Sequence, residues 1–576
     1  MGLGLVALVV LAFAGWTAYQ GKLARDDLTS ARVGVERLTD AVATGDSGLA
    51  REALFDIQDA SQRADGHTNG PGWVVGGYLP VVGDDITGVR TVADVTDDVA
   101  TDVLPRLVDA SAALSPSQLQ PSGGSIDIAG LVRAQDPLTT ANTALQGQVS
   151  RVEALRPDDM IGPIADPVRD LQGALGGAAS ITDRATMAVD LLPGMLGQDG
   201  KRTYLVLFQT NAEIRATGGI PGALAVLTTD NGVIELVKQG TAADLGDPRD
   251  ESVLPLNKAE RSIFGDKIGT FPADVTFTPD FPRVAAFAQA MWEDATGQRV
   301  DGVLSADPVA LSYLLEGTGP IPIAGEDTDQ LSAGNAVRLL LNQAYLDIDN
   351  PEAQNEYFAD AGRSVFDAVA AGQGDPRTTL DAMVRGANEQ RLLVWSDNGD
   401  EQADLATTVL SGALPSGATR SPDVGIYLND ATGTKLDYYL DYDVTLKPLA
   451  CSANGAQEQR VTVTMTNNAP ADAATSLPPS ILGFSSSGRL FTNLYIYAPV
   501  DGDVGGATMD GEKFAFAPYQ HGTRPVAGAT IDLKPQQTRT MTYIVTSGPD
   551  QPGEPDVRIT PGVPGSGTVQ TAGSAC

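Results

Sequence analysis

Apolar residues follow three patterns along the chain, and each pattern predicts a different kind of structure. From about residue 23 to residue 196 they recur at helical spacing. Across residues 201–372 short apolar runs alternate with helical segments, which is typical of an α/β domain. Across residues 424–546 apolar and polar residues alternate in short segments separated by turns, which predicts a small β-sandwich.

These patterns predict a multidomain α+β protein made of five parts. We expect a transmembrane anchor (1–20), a helical membrane-proximal bundle (21–198), an α/β domain (199–423), a β-sandwich-like domain (424–547) and a Gly/Pro-rich tail (548–576). The helical part acts either as a spacer or dimerisation stalk, or as a packed domain without a partner. We also expect a helix near residues 389–395, strands at 438–446, 460–466, 490–497, 513–517 and 538–545, and an irregular tail unless its final Cys is tethered.

The first residues are apolar enough to predict a membrane anchor. Residues 2–19 carry no charge, although their number is at the lower limit for a spanning helix. An Ala-Phe-Ala sequence at 12–14 resembles a signal-peptidase site, but no basic region precedes it. Trp16 and Tyr19 suit a membrane interface. We therefore expect a single-pass protein of the cell membrane with the bulk of the chain extracellular, although Lys22 and Arg25 favour the opposite orientation.

Composition restricts the possible chemistry. A formal charge of −35 opposes binding to nucleic acid. Because His67 and His521 are the only histidines, a His-rich metal site and most His-based acid–base catalysis are excluded. Cys451 and Cys576 form no CxxC motif; in an exported protein they would form a disulfide that pins the tail, and otherwise they are free thiols.

A charged loop between two buried strands is the first candidate site. Residues 203–209 and 223–228 read as strands, and an Asp-Asn-Gly turn at 230–232 leads to a third strand at 233–237. The loop between the first two strands carries the polar candidates Asn211, Glu213, Arg215, Thr217, Gly218 and Gly219.

The side chains of this loop suit an anion. Alternation would place Asn211, Glu213 and Arg215 on one side of an extended segment. Arg binds carboxylate or phosphate oxygens through paired N–H groups, and glycines let backbone N–H groups approach an anion. The alternative is architectural, with Glu213 and Arg215 paired to each other or to neighbouring loops and the glycines forming only a bend.

Further candidates lie later in the α/β domain. Arg249, Asp280 and Asp301 are the expected partners of the charged loop, since each lies in a loop, near a helix start or at a strand end. Asp307 precedes Pro308 and is most simply a helix N-cap. The chain contains no Gly-x-Ser-x-Gly, P-loop or Gly-x-Gly-x-x-Gly motif, so no catalytic motif is recognised.

Three separated blocks, YLVLFQTNAEIRATGGIPGALAVL, TFTPDFP and ATGQRVDGVLSADPVALSYLLEGTGPIPI, resemble the actinobacterial family of unknown function DUF4012. The resemblance extends to the helical N-terminal region and to GIYLNDATGTKLDYYLDYDV in the β part, and so to most of the chain. The resemblance implies a single-pass envelope protein of uncharacterised activity, often encoded near polysaccharide-assembly functions. The sequence departs from the family at residues 220–221, where Ile-Pro replaces an expected aromatic.

The order of elements is also similar to that of the LytR-CpsA-Psr domain. That resemblance implies transfer of polyprenyl-pyrophosphate-linked glycopolymers by Arg and Asp residues with a divalent cation. The characteristic Pro-Arg-Asp-Thr is missing, although Pro-Arg-Asp occurs at 248–250. Altered or lost catalysis fits this sequence better than an intact transferase.

The first functional hypothesis is therefore a membrane-anchored envelope protein that binds or organises glycopolymer or polyprenyl-linked lipid at the charged loop. The alternatives are a divalent-dependent phosphotransferase, which alone would need a cofactor, and a purely structural interaction scaffold. The sequence leaves the oligomeric state open.

Overall fold

The computed structural model describes residues 2–44, 46–80, 82–114, 119–323 and 330–576. The chain forms two compact units. The first comprises residues 1–120 and 126–199, and the second comprises residues 121–125 and 200–576. The finer division into five parts remains a prediction.

Helices make up the first unit, in agreement with the helical periodicity of its sequence. Its helices are α1 (Gly2–Thr44), α2 (Ser47–Thr68), α3 (Pro71–Gly76), α4 (Gly83–Asp98), α5 (Leu104–Ala113), α6 (Ile128–Glu153) and α7 (Gly162–Met195). Small residues let α1 and α2 approach closely: Ala31 and Ala53 are buried, and a Cβ added at Gly34 would lie 2.5 Å from Ile57.

The expected membrane anchor and the single-pass extracellular localisation are corrected by this structure. Across the parts of the chain that are described, every helix is too short or too polar to cross a membrane. The backbone of residues 2–20 begins the 43-residue helix α1, which continues without a break into a charged segment at Lys22, Arg25 and Asp26. The side chains of residues 1–18, on which the prediction depended, lie outside the described residues.

The second unit begins with a five-stranded sheet of order β3-β2-β1-β4-β7. Its strands are β1 (Arg202–Thr210), β2 (Ile220–Asp230), β3 (Val233–Thr241), β4 (Gly302–Ala306) and β7 (Leu393–Ser396), while β5 (Ile321–Pro322) and β6 (Gln330–Leu331) form a separate pair. The antiparallel meander β1–β3 agrees with the sequence pattern. Asn231 and Gly232 have φ of 48° and 86°, as the two-residue turn requires.

Helices and short helical turns connect these strands. The helices are α8 (Lys258–Phe264), α9 (Lys267–Thr270), α10 (Phe281–Thr296), α11 (Pro308–Thr318), α12 (Ala336–Arg338), α13 (Ala344–Asp347), α14 (Pro351–Ala370), α15 (Pro376–Asn388) and α16 (Gly399–Leu405). The prediction of a helix near residues 389–395 is wrong. Gln390 adopts φ of 55° just after α15, and the apolar run that follows pairs with β4 as strand β7.

Two further sheets form the sandwich. One has the order β13-β12-β16-β10-β9-β18 and the other β14-β15-β11-β8-β17. Their strands are β8 (Asp423–Asp430), β9 (Leu440–Cys451), β10 (Gln457–Asn467), β11 (Leu490–Tyr497), β12 (Asp503–Met509), β13 (Glu512–Lys513), β14 (Ala517–His521), β15 (Arg524–Leu533), β16 (Thr538–Thr546), β17 (Asp556–Ile559) and β18 (Thr568–Thr571). Short helices α17 (Ala473–Ser476) and α18 (Pro479–Leu482) lie between β10 and β11.

One expectation for the sandwich needs correction. The single strand expected at 513–517 is two strands in different sheets, because Phe514 and Phe516 pack against Tyr543 where the chain crosses between sheets. The tail was expected to be irregular unless its final Cys is tethered, and Cys451 and Cys576 do form a disulfide. Strands β17 and β18 of this tethered tail add parallel to β8 and β9.

Two apolar clusters of the second unit each combine residues of the sandwich with residues outside it. Ile214, which follows β1, and Tyr345 of α13 pack with the residues between the two sandwich sheets. Tyr427 and Tyr497 of the sandwich pack with the core of the first sheet. The loop that the sequence marks as a candidate site contributes Ile214 to one cluster and Ala216 to the other.

Candidate functional site

The charged loop is a series of turns rather than an extended segment. Between β1 and β2 the Glu213 N–H donates to Thr210 O at 3.0 Å and the Gly218 N–H donates to Arg215 O at 2.8 Å. The Ile220 N–H then donates to Glu213 O at 3.0 Å. The expectation that Asn211, Glu213 and Arg215 share one side is therefore wrong, since the turns direct their side chains to three different places.

Arg215 is buried in an ionic cluster. Its Nη2 lies 3.4 Å from Asp274 Oδ1 and its Nη1 lies 3.8 Å from Asp430 Oδ2. Nη1 also donates to Ile214 O at 3.0 Å, and the guanidinium lies 4.7 Å from the centre of the Phe277 ring. Only 6% of the Arg215 side chain is exposed, so its charge is neutralised inside the protein.

Asp430 joins this cluster to a turn of the sandwich. Its carboxylate, which has no solvent exposure, accepts hydrogen bonds from the N–H groups of Thr432, Gly433 and Thr434 at 2.6, 2.7 and 3.1 Å. Burial raises the pKa of Asp430, although Arg215 and these three donors favour its charged form. Arg215 and the 431–434 turn are thus held by the same carboxylate.

A third carboxylate is buried beside this pair. Asp437 Oδ2 accepts a hydrogen bond from the Ile214 N–H at 2.9 Å, while its Oδ1 has no hydrogen-bond partner among the described residues. Burial, and then the neighbouring charge of Asp430, raises the pKa of Asp437 well above its ordinary value. The same effect of burial raises the pKa of Asp274.

Glu213 forms a separate, partly exposed ion pair. Its Oε1 lies 2.6 Å from Lys435 Nζ, and that ammonium lies 4.9 Å from the centre of the Tyr345 ring. Glu213 therefore pairs with the sandwich and not with Arg215. The pair lies in the same part of the chain as Asp430 and Asp437, so residues 430–437 of the sandwich contact the loop at several points.

Asn211 connects the loop to a second buried ion pair. Its Nδ2 donates to Asp307 Oδ2 at 2.9 Å and to Pro561 O at 3.2 Å. Asp307 also caps α11 by accepting from the Ala310 N–H at 2.7 Å, as its position before proline predicts. Arg391 Nη1 lies 2.7 Å from Asp307 Oδ2, so this cap is also the anionic half of a buried salt bridge.

The rest of the loop is occupied by internal hydrogen bonds. Gln209 Oε1 accepts from Thr217 Oγ1 at 3.1 Å and from the Gly219 N–H at 2.9 Å. Gly218 has φ of 134°, and a Cβ added at Gly219 would lie 2.2 Å from Thr210 O. The two glycines are therefore required by backbone conformation and close packing, and the Gly219 N–H is not available to an anion.

The other predicted site residues do not meet the loop, because each supports a different local structure. Arg249 Nε donates to Asp294 Oδ2 at 3.0 Å, Asp280 Oδ1 accepts from the Leu414 N–H at 3.0 Å, and Asp301 Oδ2 accepts from the Thr203 N–H at 2.7 Å. Burial raises the pKa of Asp280. The structure therefore does not assemble Arg215, Arg249 and Asp301 into one centre.

A pocket beside the loop is very small. Ala216, Thr217 and Tyr427 contribute to its lining, and it has room for about one water molecule. In the part of the chain that is described, no three His, Cys, Asp or Glu side chains are grouped to hold a metal ion. Glu213 and Arg215 of the loop are thus paired within the second unit, and the pocket beside Thr217 is too small for a sugar or a phosphate.

Family comparison covers the segment that contains this loop. Residues 199–345 match the DUF4012 family. The family model is described as "Protein of unknown function (DUF4012)". This match confirms the family resemblance over that segment. No curated protein and no solved structure matches the chain. The LytR-CpsA-Psr resemblance therefore remains a prediction from the order of elements.

The DUF4012 segment supplies only half of the ionic junction. Arg215, Asp274 and Asp307 lie within it, whereas Asp430 and Arg391 lie beyond its end. Sequence reasoning missed the later partners because they are about 80 to 220 residues away. The one available signal was the Asp-Ala-Thr-Gly run at 430–433, since an Asp that begins a turn accepts hydrogen bonds from the following N–H groups.

Proposed function

We propose that this protein is a non-catalytic interaction scaffold in which the charged DUF4012 loop fixes the first sheet to the sandwich. One observation carries the proposal: Arg215 is buried, and its guanidinium lies 3.4 Å from Asp274 and 3.8 Å from Asp430 of the same chain, although its Nε has no hydrogen-bond partner among the described residues. A buried ion pair opened by removal of one partner leaves an uncompensated charge. A ligand that drew Arg215 away from Asp274 and Asp430 would leave their buried carboxylates without a cation, which is energetically unfavourable.

The small pocket supports the same proposal. The pocket beside Thr217 has room for about one water molecule, so a phosphate or a sugar enters it only if the loop opens. Opening would expose the core residues around Ile214, which packs between the sandwich sheets. A partner of the scaffold therefore has to be recognised on its surface, and the loop serves to keep that surface in one conformation.

The transferase alternative has less support from the geometry. It requires Arg215, Arg249 and Asp301 to act on one pyrophosphate with a divalent cation. Arg249 is instead paired with Asp294, and Asp301 holds the Thr203 N–H at the start of the first sheet. Binding of glycopolymer or polyprenyl lipid at the loop itself meets a similar difficulty, because Glu213 and Arg215 are already paired with Lys435, Asp274 and Asp430.

Calorimetric titration of the purified chain with Mg²⁺ and inorganic pyrophosphate tests the proposal. We expect no saturable heat from either probe, and no difference between the native chain and an Arg215→Lys variant, which keeps the charge but loses paired donation. Saturable binding that the native chain shows and the folded Arg215→Lys variant lacks would contradict a scaffold and favour the transferase.

A further inference from the structure

One end of the outer face of the sheet β14-β15-β11-β8-β17 is uncovered. Along β11, Phe491 and Asn493 point outward, whereas Leu490, Thr492 and Leu494 are fully buried in the sandwich. At the other end of this strand the face is covered, since Tyr495 is buried and its ring lies 6.0 Å from that of Phe264. The open end therefore has its own surface chemistry.

Phe484 stands at the border of this open end with 91% of its surface exposed. Within the described residues, no other large hydrophobic side chain is as exposed. Its backbone is nevertheless fixed, because the Phe484 N–H donates to Gly433 O at 3.2 Å and the Ser485 N–H donates to Leu482 O at 2.8 Å. A single exposed apolar side chain is ordinary on a protein surface, so Phe484 is informative only together with its neighbours.

The ring of Phe484 lies close to the 431–434 turn. A Cβ added at Gly433, whose φ is 72°, would lie 2.8 Å from Phe484 Cδ2. Phe491 contacts the same turn, since its N–H donates to Thr432 Oγ1 at 2.8 Å and its carbonyl accepts from the Ala431 N–H at 2.8 Å. The two phenylalanines therefore flank one turn, which the buried Asp430 holds from inside.

Polar side chains surround Phe491 on the sheet. Arg489 Nε donates to Asp532 Oδ1 at 3.0 Å, Arg489 Nη2 donates to Asp532 Oδ2, and the guanidinium lies 5.5 Å from the centre of the Phe491 ring. Asp532 is the cross-strand neighbour of Phe491. The next pair on this face is Asn493 and Thr530, joined by a 2.7 Å hydrogen bond.

We propose that this aromatic face, defined as Phe484, Arg489, Phe491, Asn493, Thr530 and Asp532, binds the sugar chain of a neutral polysaccharide. A pyranose ring has an apolar C–H face that stacks on an aromatic ring and a rim of hydroxyl groups. The negative face of a phenyl ring attracts such C–H groups. Guanidinium, carboxylate, amide and hydroxyl groups beside the ring hydrogen-bond the hydroxyl rim.

Charge and size favour this ligand over others. Arg489 and Asp532 neutralise each other, while the whole chain carries −35, so an anionic polymer would be repelled. Two phenyl rings bury about 300–500 Å² at most, below the roughly 800 Å² that each partner buries in a standard protein interface. A row of cross-strand pairs on an exposed sheet face also suits an extended polymer better than it suits a small molecule, which requires a concave site.

This proposal rests on the proposed scaffold function, because it names the partner that binds the surface of the scaffold.

Affinity electrophoresis of the full chain in gels containing dextran, laminarin, yeast mannan or galactan tests the proposed sugar site. We expect at least one polysaccharide to retard the native chain. Phe484→Ala and Phe491→Ala should each weaken that retardation about tenfold, which corresponds to the loss of one aromatic contact.

Phe271→Ala is the matched control, since Phe271 is exposed to the same degree as Phe491 (38% and 37%) but lies at the end of α9. It should leave retardation unchanged. Asp532→Asn tests the polar rim without removing a ring and should weaken retardation as well. Circular dichroism confirms that each variant is folded.

Three results would overturn the proposal. The first is that none of the four polysaccharides retards the native chain. The second is that Phe484→Ala and Phe271→Ala lose retardation equally. The third is a dimer in sedimentation velocity that Phe484→Ala converts to monomer, which would assign the face to a second copy of the chain. None of them bears on the pyrophosphate titration, so failure of the sugar site and failure of the scaffold remain distinguishable.

Discussion

Replacing Arg215 by methionine tests the architectural role of the charged loop. Methionine keeps much of the length of the side chain but removes the cation between Asp274 and Asp430. Breaking a buried ion pair from one side costs about 3–5 kcal/mol. The lost hydrogen bond to Ile214 O and the lost contact with the Phe277 ring act in the same direction.

The cost should depend on pH. Burial already raises the pKa of Asp430 and of Asp274, so protonation relieves part of the uncompensated charge in acid. We therefore expect Arg215→Met to lower the free energy of unfolding by about 3–5 kcal/mol near pH 8, and by less near pH 5. Urea titration followed by tryptophan fluorescence measures both values.

Arg261→Met is the matched control for this experiment. Arg261 pairs with Asp266 at 3.2 Å, but both side chains are more than half exposed. An exposed pair contributes about 1 kcal/mol or less. If Arg215→Met cost no more than Arg261→Met at both pH values, the reasoning from burial would be refuted.

Three further predictions concern the same unit. Asp437→Asn should become more stable relative to the native chain as pH rises from about 4. Because the folded state raises the pKa of Asp437, its carboxyl group stabilises the native chain fully below the pKa of the unfolded chain, and this stabilisation is lost as the folded state deprotonates. Urea midpoints of the two proteins that shift equally with pH would contradict this prediction. Gly219→Ala should prevent native folding or lower the melting temperature strongly, since its Cβ would lie 2.2 Å from the backbone carbonyl oxygen of Thr210. Gly222→Ala is the comparison, because its Cβ would meet only the side chain of Thr210, at 2.7 Å. A melting temperature of Gly219→Ala equal to or above that of Gly222→Ala would argue against this reason. Removing the disulfide by Cys451→Ser should lower the free energy of unfolding by about 2–5 kcal/mol, because the bond closes a long loop, and reducing agent should then have no additional effect.

Local patterns in the sequence predicted the elements that surround the site. The β1–β3 meander follows from three apolar runs and an Asp-Asn-Gly turn, whose residues have the positive φ that this turn needs. Asp307 followed by proline predicted a helix N-cap, and the cap is present. In both cases the signal and its structural result lie within a few residues of each other.

The errors come from signals that local pattern leaves ambiguous. The Leu-Leu-Val-Trp run at 392–395 is too short to distinguish a helix from a buried strand, and pairing with β4 decides in favour of the strand. The expected anchor over residues 1–20 came from an uncharged apolar run, and most of its side chains lie outside the described residues. The tail strands β17 and β18 depend on pairing with β8 and β9, which lie more than 100 residues earlier.

The sequence singled out the polar residues of the loop, but it did not predict the loop's geometry or its partners. Alternation assumed an extended loop, whereas backbone hydrogen bonds within the loop turn Asn211, Glu213 and Arg215 apart. Their partners Asp430 and Lys435 lie at the end of β8 and just after it, and no periodicity connects them to the loop. The choice between a ligand site and an ionic junction therefore depended on tertiary packing.

Hydrogen–deuterium exchange of the Arg215→Met variant tests the central claim most directly, because the claim is that Arg215 acts through Asp430 on the 431–434 turn and its aromatic neighbours. Peptides covering residues 427–434 and 481–491 report on that turn and on Phe484 and Phe491. We predict that these peptides exchange faster in Arg215→Met than in the native chain, and at the native rate in Arg261→Met. Native exchange rates in both variants would contradict the account.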